Sequence, residues 1–140
     1  MADNSLIQQR FRQLVFGAIA LHLGYEILAW FYWPADALEG ELLAVDGYGA
    51  IFETNTVYYY LLFVVRLLIL IGLSSFHKLA RSLYLALTAF TLFALFTYGY
   101  RVTAPIEAPI FYLTNMVDGA ILVLAYFTPI SARFRGLASQ

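Results

Sequence analysis

Residues 55–76 read NTVYYYLLFVVRLLILIGLSSF. From Val57 to Leu73 every position is aliphatic or aromatic except Arg66 and Gly72. A helix that is apolar on every side belongs in the core of a large protein or in lipid. A chain of 140 residues cannot build a core of that size around it. At a rise of about 1.5 Å per residue, the run is long enough to cross about 30 Å of hydrocarbon. It therefore predicts a transmembrane helix over Asn55–Phe76 with an arginine near its middle.

Three further segments have the same length and character. They run from Phe11 to Trp33, stopped by Pro34; from Leu79 to Val102; and from Ile110 to Ile130, with Pro109 in the first turn and Pro129 near the end. The prediction is an all-α integral membrane protein, a four-transmembrane-helix up-down bundle forming a single domain over residues 1–140. Composition agrees: 62% of residues are hydrophobic and 12% charged, against about 45–50% and about 25% in soluble domains. The stretch from Leu14 to Trp33 follows Arg10 and Arg12 and precedes Ala35-Asp36-Ala37, which resembles a signal-peptide cleavage site. It is about 20 residues long, beyond the roughly 7–15 of a signal core, so it reads as a retained helix.

Charge sets the orientation. Arg10, Arg12, Lys78, Arg81, Arg133 and Arg135 fall at one end of the predicted bundle. Asp36, Glu39, Glu41, Asp46, Glu53 and Glu107 fall at the other, where Arg101 is the sole basic residue. Short loops rich in Lys and Arg stay in the cytoplasm, which puts both termini there and points to the bacterial inner (cytoplasmic) membrane. Trp30, Tyr32, Trp33, Tyr58, Tyr59, Tyr60, Tyr98, Tyr100 and Tyr112 gather at the acidic end, where an aromatic belt would meet the headgroups. The long outer loop, about 34–54, carries Leu38, Leu42, Leu43, Ile51 and Phe52 and is expected to cap the bundle as a short interfacial helix.

A charge at the bilayer centre costs about 2.5–3.5 kcal/mol on insertion scales and therefore faces protein or water. Glu26, Arg66 and Asp118 are such charges, and His22 lies one turn from Glu26 on the same face. Asn55, Tyr59, Leu62 and Arg66 form one helical stripe; Tyr84, Thr88, Thr91, Tyr98 and Arg101 a second; Phe111, Asn115, Asp118, Leu122 and Ala125 a third. Turning these stripes inward predicts an Arg66–Asp118 ion pair with Glu26 as competitor or third member. The resulting cluster of His22, Glu26, Arg66, Asn115 and Asp118 is a candidate binding or proton-linked site, with Tyr59, Tyr98 and Arg101 as outer-face contacts. The plain structural reading is a pair that locks helix register, with Asn115 and the helix-three threonines as interhelical glue. Ser74, Ser75, His77, Lys78 and Arg81 read as a basic anchor for anionic lipid.

Several classes of function lack their residues. The chain has no cysteine, which removes thiolate catalysis, disulfide exchange and Cys-based metal or iron–sulfur sites. His22 and Glu26 have the spacing of a metal arm, but His77 lies at the opposite end, so neither a metal site nor a bis-histidine haem is expected. No phosphate loop, nucleophile elbow or zinc-protease motif occurs, no cofactor is implied, and nothing points to nucleic acid. The sequence favours a homo-oligomeric binding or permeation module for an ion, proton or small polar solute. An accessory subunit of a larger membrane complex is the alternative. A membrane enzyme on a lipid-like substrate comes last, because no nucleophile arrangement supports it.

Overall fold

The computed structural model describes residues 2–31, 40–41, 48–51, 56–97, 99 and 107–135. Its described elements are all helical: α1 (Ala2–Phe31), α2 (Thr56–Ser74), α3 (Lys78–Ala94) and α4 (Glu107–Phe127). A 3-10 turn, Leu95–Thr97, continues α3, and another, Pro129–Arg135, follows α4. Three stretches are long and apolar enough to cross a membrane: Val57–Ser74, Lys78–Thr97 and Glu107–Phe127. Between about five-sixths and three-quarters of each lies unburied within the protein, an apolar surface compatible with contact to lipid.

α1 begins nine residues before Phe11, where the apolar run starts. Apolarity marks where a helix enters lipid, not where its hydrogen bonding starts. Residues 2–10 contain neither glycine nor proline, and Ile7 packs against the core, so the helix continues. α3 ends earlier than the expected Val102. Gly99 turns the chain with φ +71, and a Cβ there would meet Tyr48 O at 2.5 Å and Ala50 N at 2.6 Å. Ile51 N donates to Thr97 O at 2.9 Å, so this part of the outer loop crosses the end of α3. Most of the expected interfacial helix lies outside the described residues. α4 starts at Glu107, where the carboxylate favours the helix N-terminus and Pro109 costs no ladder bond.

α1 sits between α2 and α4, α2 pairs with α3, and α3 meets α4 and its 3-10 extension only sparsely. The core fills one half of the bundle. Phe11, Val15 and Ala18 meet Ile69, Leu70 and Leu73, with Ala80, Ile121, Ala125, Ile130 and Phe134 closing around them. Gly72 belongs to this contact: a Cβ there would lie 2.8 Å from that of Ala80, so its absence lets α2 and α3 approach.

The α2–α3 turn shows how the basic end is sealed. His77 N donates to Gly72 O at 3.0 Å and Phe76 N to Leu73 O at 2.9 Å, the paired bonds of a Schellman cap. The left-handed residue of that cap is normally glycine; here it is Phe76, at φ 56. Its ring is the reason. Phe76 stacks on Phe11 at 5.6 Å and meets Phe134 edge-on at 5.4 Å, while Arg12 covers it at 5.2 Å. These contacts offset a left-handed conformation that costs about 1–2 kcal/mol.

Arg12, and Arg81 of the expected lipid anchor, serve the fold itself. Arg12 Nε donates to Ser74 O at 3.0 Å, capping the end of α2. Arg81 lies over the Tyr126 ring at 4.7 Å and donates to Ser131 O at 3.4 Å. Tyr126 in turn donates to Arg81 O at 3.1 Å. α3 and α4 are thus tied together at the basic end.

Candidate functional site

The opposite half is hollow. A cavity of about 490 Å3 lies between the four helices. Its walls are mostly apolar, with Leu62 and Phe63 from α2, Leu87 and Leu92 from α3, and Phe111 and Leu122 from α4. Where α3 and α4 are tied by the arginine–tyrosine contacts they converge. Toward the acidic end the cavity separates them.

The cavity ends on a buried polar group centred on Asp118. Tyr84 donates its hydroxyl to Asp118 Oδ1 at 2.7 Å. His22 Nε2 lies 3.3 Å from both carboxylate oxygens. Arg66 Nη1 lies 3.7 Å from Oδ2, and Arg66 Nη2 donates to Thr91 Oγ1 at 3.5 Å. One side chain from each helix therefore meets at a single carboxylate. Asp118, His22 and Tyr84 are buried, and Arg66 is half-buried with the cavity against it.

Two causes bring these groups together. At about 1.5 Å per residue, the helix geometry puts all four at similar depth. An arginine and an aspartate in low dielectric are each too costly alone, so the helices rotate until they meet. The structure brings together Arg66 and Asp118 as the stripes predicted. The third member is His22, not Glu26. Glu26 lies one turn nearer the acidic end and accepts a hydrogen bond from Tyr59.

Asn115 lines the cavity but folds back on its own helix, donating to Phe111 O at 2.9 Å. The helix-three threonines also bond chiefly within their helix: Thr88 to Tyr84 O at 2.8 Å and Thr91 to Thr88 O at 2.9 Å. Short polar side chains commonly satisfy themselves this way. Only Thr91 reaches another helix, through Arg66. Tyr98 and Arg101 lie outside the described residues. Among the described residues no group of three or more potential ligands is positioned for a metal ion.

Tyr84 is the member that the sequence did not single out. It lies on the same stripe as Thr88 and Thr91, yet an isolated tyrosine in an apolar helix looks like core or interface. The available signal was its depth, one long side chain away from the aspartate of α4.

No family model matches the chain, and no match was found among curated proteins or solved structures.

Proposed function

We propose that this protein spans the membrane four times, with α1 as the fourth span and both termini in the cytoplasm, and binds a small solute inside the bundle. At 30 residues α1 is about 45 Å long, enough to cross and project. The end bearing Arg12, Lys78, Arg81 and Arg133 is then cytoplasmic, and a bacterial inner membrane suits that polarity. The cavity lies in the half of the bundle toward the acidic, outer side.

The observation that carries this reading is the union of cavity and polar floor. A space of about 490 Å3 is within the size range of small-molecule sites. A pair needed only for register would be served by packed neighbours. Here the arginine faces an open space that also exposes Glu26, Tyr59 and Asn115. Beneath the floor, the apolar core of Phe11, Leu70, Leu73 and Ile121 closes the route to the basic end. The chain thus has the form of a cup rather than a continuous pore. Binding needs one copy; passage across the sealed half would need rearrangement or assembly with further copies.

Native mass measurement in lipid nanodiscs tests this. The wild-type protein is expected to retain a small molecule that leaves on denaturation, and Thr88→Trp, which fills the cavity wall, is expected to lose it at unchanged helicity. Recovery of ligand-free protein in fixed stoichiometry with another membrane protein would contradict the reading and make the chain a subunit.

A further inference from the structure

Among the described residues, permanent charges of the two signs are unequal in number around the cavity. Its lining contains two carboxylates, Glu26 and Asp118, and one permanent cation, Arg66. Arg66 is held by Asp118, and His22 also turns to that carboxylate. Glu26 keeps the hydrogen bond from Tyr59, and among the described residues no cation answers it. A carboxylate beside hydrocarbon that lacks a counter-ion is costly. A positive charge would answer it.

The surroundings of Glu26 define what kind of cation fits. Tyr25, Tyr59, Phe63 and Phe111 line the same cavity. Aromatic faces attract organic cations, most strongly when water is excluded. The remaining wall is aliphatic, which favours an apolar body over a hydrated inorganic ion.

We propose that the cavity takes a monovalent organic cation with an apolar body, with Glu26 as its counter-ion and the aromatic rings as its walls. This rests on the reading of the cavity as a binding site. Asp118, Arg66, His22 and Tyr84 form the floor and do not supply the recognising charge. Glu26→Gln removes the charge while keeping an acceptor for Tyr59, so the fold is retained.

Tetraphenylphosphonium and tetraphenylborate are matched in shape and opposite in charge. Equilibrium dialysis of purified protein is read as the difference between wild type and Glu26→Gln, which subtracts partition into detergent. The cation is expected to bind wild type and to weaken at least tenfold in Glu26→Gln, with no specific binding of the anion. Thr88→Trp is expected to weaken cation binding with Glu26 intact. Equal cation binding by wild type and Glu26→Gln, or specific binding of the borate, overturns the assignment. The cavity reading is judged apart from these probes, by whether Thr88→Cys is reached by a water-soluble thiol reagent. Labelling without cation binding refutes only the cation. Absence of labelling refutes the cavity, and the cation with it.

Discussion

Asp118→Leu is expected to destabilise the protein by about 3–5 kcal/mol, the usual consequence of leaving one partner of a buried ion pair alone. The aspartate holds Arg66, His22 and Tyr84 together, so its loss leaves a buried guanidinium and two polar groups without their acceptor. Arg66→Leu is expected to cost less, because His22 and Tyr84 still donate toward the carboxylate. The double leucine variant is expected to recover much of the loss, since replacing both members of a buried pair by apolar groups is often tolerated. Tyr84→Phe should cost only about 0.6 kcal/mol, typical of one hydrogen bond within a membrane protein. Reversible unfolding in mixed micelles gives all four values. A double-variant loss equal to the sum of the two single losses would show that the groups are not coupled.

Phe11→Ala is expected to cost about 3 kcal/mol, the lower part of the range for removing a buried phenylalanine. Phe11 is 1% exposed and meets Phe76 and Phe134 at 5.6 and 6.0 Å. Lipid supplies no hydrophobic drive for helices to associate, so packing of this kind holds them together. The same measurement on Phe16→Ala, which lies exposed on the outside of the bundle, is expected to give a change near zero. A loss at Phe16 as large as at Phe11 would mean that the packed end of the bundle lies elsewhere.

The three helices long and apolar enough to cross a membrane were legible because an apolar run of about 20 residues in so short a chain has no protein core large enough to receive it. The Arg66–Asp118 pairing was legible because intramembrane charges are few and each needs an answer. Which carboxylate α1 offered was harder. Glu26 and His22 share a face, and the choice depends on an axial offset of about 6 Å, one helical turn. That offset placed His22 beside Asp118 and left Glu26 level with Tyr59. Hydropathy could not give the start of α1, because residues 2–10 are held by backbone hydrogen bonding and by Ile7 rather than by lipid. Nor could it give the hollow, which arises because Arg81, Tyr126 and Ser131 draw α3 and α4 together at one end only.

The chain has no cysteine, so single-cysteine variants report without background. The proposed cavity opens to the outer side above a sealed inner half. Its most direct test is labelling by a membrane-impermeant maleimide in right-side-out and inverted vesicles. Thr88→Cys is expected to react from the outside only and Arg133→Cys from the inside only. Leu73→Cys in the core and Ala86→Cys on the lipid face are expected to react from neither. Labelling of Thr88→Cys from the inside, or protection of it from both sides, would contradict the account.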